Sequence, residues 1–277
     1  YCLIPYTRGA VCSKDPEKVI SEIKKLAEHG FKEIILSGIH TASYGVDLEG
    51  DVSLMTILEE IEKVDGIERV RIGSIEPCFF TDSVIEKMKS MKKLCPQFHL
   101  SLQSGCDTTL KRMNRRYTAK EYEEAVYKIR KNLKDASITT DVIVGFPGET
   151  DEEFNLTYEY LKNLKLTKTH IFKFSPRKGT KAATMDNQID GTIKEKRSKA
   201  LIDLNEKNEG NFSRSLVGRD MDVLVEQEVS KKPGVFEGYT RNYVKVEIVN
   251  GSEEIIGKIV PCRIEEANGD YVTGKLL

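Results

Sequence analysis

Six cysteines, four histidines and a few loop arginines are the side chains in this 277-residue chain that could do chemistry. Cys2, Cys12, Cys78, Cys95, Cys106 and Cys262 are scattered and form no C-x-x-C pair. Such scatter points to a reducing, cytoplasmic setting rather than a disulfide framework, with most of the thiols acting as small apolar filler. Cys2, one residue from the start, reads by itself as inert. His29, His99 and His170 read as structural, whereas His40 falls on a loop after a strand and stays open as a functional residue. Arg8, Arg115, Arg116 and Arg177 lie at element junctions, where a guanidinium suits a carboxylate or phosphate but is more commonly a solvated surface charge. The chain has no paired-carboxylate, Ser/His/Asp or Walker-type constellation.

Two backbone-rich stretches could meet a ligand. Gly145-Phe146-Pro147-Gly148-Glu149-Thr150 follows an apolar run and precedes a capping box, so its glycines allow close backbone approach beside a helix N-terminus. An ordinary tight loop explains it equally well. In His99-Leu100-Ser101-Leu102-Gln103-Ser104-Gly105-Cys106 the polar residues Ser101 and Gln103 alternate with leucines, giving one polar face that could hydrogen-bond a ribose or a substrate.

The elements that must position these residues alternate. Asp15-Pro16, Thr118–Glu121 and Thr150–Glu153 are helix starts, and apolar residues at helical spacing follow each. Short apolar runs at 33–36, 69–74, 98–103, 138–146 and 168–174 read as strands between the helices, and 192–215 as a long basic helix. This pattern predicts an α/β fold: an open, partial TIM-type (β/α)6 barrel whose sixth unit precedes Tyr1, with its chemistry at the strand C-termini. Beyond residue 214 short strands at 222–226, 234–239, 243–248, 255–264 and 271–274 predict a small antiparallel β-barrel, dividing the chain into 1–213 and 214–277.

The net charge of −1 conceals blocks. Residues 86–134 carry 13 basic against 5 acidic side chains, and residues 162–214 carry 13 against 6. Either block could face a polyanion or be a solvated helix surface. No apolar run is long enough to span a bilayer.

In combination the motifs are specific. Tyr1-Cys2-x-x-Pro5-Tyr6-x-Arg8-Gly9, Ser37-Gly38-Ile39-His40, Ser74-Ile75-Glu76-Pro77, His99–Gly105, Met113-Asn114-Arg115, Asp141–Thr150 and Ser175-x-Arg177-x-Gly179-Thr180 occur in this order. Together they resemble the tRNA methylthiotransferases of the radical S-adenosylmethionine family, in particular the branch acting on N6-threonylcarbamoyladenosine at tRNA position 37. The final 64 residues resemble that family's TRAM domain, an RNA-binding barrel.

The resemblance implies methylthiolation of the adenine C2, with two [4Fe–4S] clusters and S-adenosylmethionine as cofactors. The implied partners are tRNA, a sulfur donor and an electron donor such as flavodoxin or ferredoxin, with no membrane. It makes Cys2 the third thiolate ligand of the radical cluster, with the other two ahead of Tyr1 and the present chain inactive alone. It places Ser37, Gly38, Gln103, Arg115, Ile143 and Gly145 around S-adenosylmethionine and assigns no catalytic side chain. Tyr239, Arg241, Asn242 and Tyr243 are candidates for stacking on and hydrogen-bonding to RNA, or else a turn and barrel core. Competing expectations are a non-catalytic RNA-binding module and a methylthiotransferase acting on isopentenyladenosine tRNA or a ribosomal protein.

Overall fold

A computed structural model describes residues 1–277, apart from the Pro5 side chain. Helices and strands alternate through the larger unit. α1 (Ile4–Arg8) and α2 (Pro16–Glu28) precede β1 (Glu33–Leu36); α3 (Leu54–Ile61) precedes β2 (Arg69–Ile72); and α4 (Asp82–Ser90) precedes β3 (Gln97–His99). Then come α5 (Asp107–Arg112), α6 (Ala119–Asn132), β4 (Ser137–Val144), α7 (Asp151–Leu164), β5 (Lys168–Lys173) and α8 (Gly191–Arg214).

Local chemistry starts the helices. The side chains of Asp15, Ser53, Thr81, Thr118, Thr150 and Asp190 each accept a hydrogen bond from a first-turn backbone N–H. Three of these caps, at Ser53, Thr118 and Thr150, are reciprocal boxes. The short α1 and α5 have no side-chain cap and were not foreseeable from capping or periodicity.

All five strands are parallel. β1 pairs with β2, and β3, β4 and β5 form one sheet. Single bridges at Val70↔Leu94 and Ile75↔Leu100 carry the ladder from β2 to β3. The result is an open partial barrel, and the sixth strand expected ahead of Tyr1 lies outside the described residues. On β4 the residues Ile138, Thr140, Val142 and Val144 are buried, and the three apolar ones join the core that α6, α7 and α8 cover. Thr139, Asp141 and Ile143 point the other way and are half-exposed on the barrel's inner side. β3 ends at His99 rather than Gln103 because hydroxyls take over its carbonyls. Thr140 Oγ1 donates to Leu100 O (2.5 Å), and the Tyr117 phenol donates to Ser101 O (2.6 Å).

The smaller unit is a closed barrel of β6 (Asp220–Glu228), β7 (Val235–Thr240), β8 (Lys245–Val249), β9 (Ile259–Ala267) and β10 (Tyr271–Leu276), in the order β10-β8-β7-β6-β9. Its core holds Val223, Val225, Phe236, Val246, Ile248, Cys262, Ile264 and Val272. The barrel is not wholly antiparallel as expected, because β10 runs parallel to β8. A closed ring of five strands cannot alternate direction all the way round, so one neighbouring pair must be parallel.

The two units meet where the turn after β7 enters the N-terminal end of the larger barrel. Arg69 and Arg71, both buried on β2, reach across it. Arg69 donates to Tyr239 O and Asp222 O at 2.9 Å each. Arg71 donates to Arg241 O (2.8 Å) and Thr240 O (2.9 Å) while holding both oxygens of Glu33 at 2.7 and 3.0 Å.

Candidate active site at the open rim

The C-terminal ends of β3, β4 and β5 meet around Tyr1. Its phenol donates to Gln103 Oε1 (3.0 Å) and accepts from the Arg115 guanidinium (2.5 Å), and its ring meets the Phe146 edge at 5.7 Å. Phe146 in turn stacks edge-on with Phe174 at 5.1 Å. Burial pushes the Tyr1 phenol above its usual range, and the neighbouring Arg115 charge opposes that rise. Arg115 also faces Glu76 at 3.9 Å, and Glu76 pairs with His40 Nε2 at 3.1 Å. A chain of polar side chains, His40, Glu76 and Arg115, therefore runs from the loop after β1 to the loop after α5.

Gln103 is held at φ +74, a left-handed conformation that costs a non-glycine residue about 1–3 kcal/mol. Its backbone sits between two parts of β4: its N–H donates to Asp141 O (2.8 Å), and its carbonyl accepts from Ile143 N–H (2.9 Å). This double tether fixes the side chain at the rim. Arg115 Nε is buried with no partner among the described residues. With Gln103 alongside, that free donor fits a small ligand carrying a carboxylate.

The residues implied by the resemblance fall into three groups. Gln103 and Arg115 meet through Tyr1, and Ile143 lines a cavity of about 360 Å³ with Tyr1, Cys2, Phe172, Phe174, Ser175 and Arg177. Ser37 and Gly38 line a different cavity of about 910 Å³, between α2 and the residue 8–14 loop. Its wall includes Arg8, Cys12, His40 and Tyr44.

Gly145 is elsewhere again. Its N–H donates to Glu149 Oε2 (2.7 Å), and a Cβ built on it would lie 2.3 Å from Lys194 Cγ. Protein, not open space, fills that side. Burial pushes the Glu149 carboxyl up, while Gly145 and Arg197, whose guanidinium lies 2.7 Å from Oε2, pull it back. Of the remaining loop arginines, Arg116 is exposed.

Cys2 is exposed at the cavity mouth. Among the described residues, the grouping of three or more His, Cys, Asp or Glu ligand atoms within reach of one ion contains no cysteine. Cys2 by itself offers one of the several thiolates that a [4Fe–4S] cluster takes.

The turn expected to touch RNA is occupied in the seam between the units. Arg241 donates to Lys92 O (2.6 Å) and Leu94 O (3.0 Å), and buried Asn242 donates to Asp135 O (3.2 Å). Tyr239 and Tyr243 stack on each other at 4.6 Å with the Arg71 guanidinium over Tyr243. The polar groups of Arg241 and Asn242 are engaged inside the protein, whereas the Tyr239 and Tyr243 hydroxyls make no hydrogen bond among the described residues and Tyr243 is exposed.

Sequence reasoning placed Glu76 at a strand end but missed Tyr1 and Tyr117 as rim residues, since an aromatic in a loop carries no period. It also set aside His99 and His170. The available signal was Asp141, a charge inside the most apolar strand of the chain.

The sequence profile of the radical SAM superfamily matches residues 1–161, and that of the TRAM domain matches residues 214–277. The chain belongs to the radical SAM superfamily. It is 39% identical over 280 residues to the threonylcarbamoyladenosine tRNA methylthiotransferase MtaB of Bacillus subtilis (strain 168), covering 100% of this chain and 62% of that protein. It is 38% identical over 277 residues to a tRNA-2-methylthio-N(6)-dimethylallyladenosine synthase of Thermoanaerobacter sp. (strain X514), covering 100% of this chain and 59% of that protein. The chain thus spans about three-fifths of these relatives. Among solved structures, coproporphyrinogen III oxidase (HemN) from Escherichia coli shares the fold, with a TM-score of 0.51 at 11% identity over 90% of this chain and 60% of that one. No helix among the described residues is long and apolar enough to cross a membrane.

Proposed function

We propose that the chain is the barrel and RNA-binding part of a tRNA methylthiotransferase, acting on C2 of N6-threonylcarbamoyladenosine at position 37. The observation that carries this reading is the 39% identity, over the whole chain, to a relative of that name. The Ser74-Ile75-Glu76-Pro77 and Ser175–Thr180 motifs favour the same branch. S-adenosylmethionine, when bound, supplies the radical chemistry of the superfamily. Arg115 and Gln103 would hold its polar end, Ile143 would line the cavity beside it, and Phe146 with Phe174 would exclude water. Ser37 and Gly38 sit across the barrel mouth in their own cavity, suited to a second part of the ligand. Cys2 would contribute one cluster thiolate, the others coming from outside these residues. A sulfur donor, an electron donor and a cytoplasmic setting belong to the same proposal. The basic blocks at 86–134 and 162–214 supply charge for tRNA.

The test is mass spectrometry of tRNA treated with the whole gene product, reconstituted with iron and sulfide without air. Threonylcarbamoyladenosine should gain a methylthio group and dimethylallyladenosine should not. The reverse preference would move the protein to the branch of the second relative, whose name specifies dimethylallyladenosine.

A further inference from the structure

Three neighbouring strands present His99, Asp141 and His170 to the open interior, one level below the Tyr1–Gln103 rim. His99 ends β3, Asp141 lies mid-strand on β4, and His170 is its direct register partner on β5. One ligand atom from each lies within 4.8 Å of the other two. His99 Nε2 is 3.4 Å from Asp141 Oδ2, and the two imidazole centroids are 6.0 Å apart with planes inclined by 34°. We propose that these three side chains form a mononuclear site for a first-row divalent cation of the Zn2+ or Fe2+ type, pinning β3, β4 and β5 together on the inner face of the barrel.

Several observations support a metal over a plain ion pair. At 3.4 Å the His99–Asp141 approach is too long for an ordinary hydrogen bond. It does match the separation of about 3.3–3.5 Å that two ligands about 2.0–2.1 Å from one tetrahedral ion must have. His99 Nδ1 is hydrogen-bonded to Thr139 Oγ1 (3.0 Å), which fixes the ring and aims Nε2 at Asp141. An outer partner on the far ring nitrogen is a recurrent feature of metal-binding histidines. The His170 ring nitrogens make no hydrogen bond among the described residues, and the residue is exposed, so it is free to close the remaining distance. Two imidazoles and one carboxylate, with the interior side open, suit zinc, iron(II) or cobalt(II) and not a hard cation such as Ca2+. The cysteines take no part in this grouping.

The experiment uses the 277-residue chain, stripped of metal and kept reduced. It is titrated with Co2+ by visible absorption and with Zn2+ by calorimetry. The expected result is one equivalent bound, no thiolate-to-cobalt charge-transfer band, and a rise in thermal midpoint with Zn2+. Asp141→Asn, close in shape to the native side chain, and His170→Gln should each weaken binding at least about tenfold, and Thr139→Val by a smaller factor. Circular dichroism of the metal-free variants checks that the fold is kept. If either ligand variant fails to fold, the other decides. Failure to bind one equivalent, unchanged affinity in a folded ligand variant, or a thiolate charge-transfer band would each overturn the site.

Discussion

The Arg71 guanidinium lies 4.5 Å from the ring centroid of Tyr243, so a charge from the base of the large barrel is covered by an aromatic of the small one. The same guanidinium neutralises Glu33 and donates to two carbonyls of the β7–β8 turn. Arg71→Met should therefore leave the half-buried Glu33 carboxylate with only Arg69, 3.7 Å away, and the Arg241 carbonyl without its donor, while Thr240 O keeps the Tyr243 N–H, costing about 2–4 kcal/mol. Denaturant unfolding should show the two units separating into distinct transitions. A single unshifted transition would remove Arg71 from the seam. Tyr243→Ala, losing only the cation–π contact and its packing, should cost about 1–2 kcal/mol.

Arg241 makes a second prediction that separates seam from RNA surface. Because its guanidinium serves the carbonyls of Lys92 and Leu94, Arg241→Ala should lower stability by about 1.5–3 kcal/mol. The salt dependence of tRNA binding should stay as it is. A fall of about one unit in the salt slope would mean that Arg241 touches a phosphate.

Gly145 combines φ +71 with Lys194 packed over it. Gly145→Ala meets both obstacles and should destabilise the protein by about 1–3 kcal/mol in a melting experiment. Adding Lys194→Ala should recover the steric part and leave the backbone part. Full recovery would show that the left-handed backbone costs nothing here.

A pH-dependent contribution follows from Arg112 and Glu153. The Arg112 guanidinium donates to both carboxylate oxygens, one at 2.9 Å, and holds Glu153 below the usual carboxylate range despite partial burial. Since the folded state binds that proton more weakly than the unfolded chain does, the stabilisation is present above the unfolded value of about 4.3 and fades as pH falls through the lower folded value. Glu153→Gln should be less stable than the parent by about 2 kcal/mol from pH 7 down to about 5, with the gap closing below about 4. A gap that did not narrow on acidification would mean that the charge of the Glu153 carboxylate, shared between Arg112 and the Thr150 N–H at 3.2 Å, is not what stabilises the fold.

Helix starts and strand interiors were legible in the chain because they depend on neighbours a few residues apart. Thr118–Glu121 and Thr150–Glu153 close their own capping boxes, and the runs at 33–36 and 138–144 are apolar enough to be strands anywhere. The motif order likewise identified the superfamily without any geometry. Tertiary structure decided what depends on residues far apart in the chain. Tyr1 joins Gln103 and Arg115 across more than a hundred positions, and Arg71 meets Thr240 and Arg241 across about 170. Only that packing showed that the Tyr239–Tyr243 turn, a candidate for touching RNA, lies at the seam between the units, and placed Ser37–Gly38 in a separate cavity. It also brought His99, Asp141 and His170 together on three adjacent strands. Sequence periodicity shows which face a residue occupies, but which faces meet is set by strand register and barrel closure, and these involve the whole chain at once.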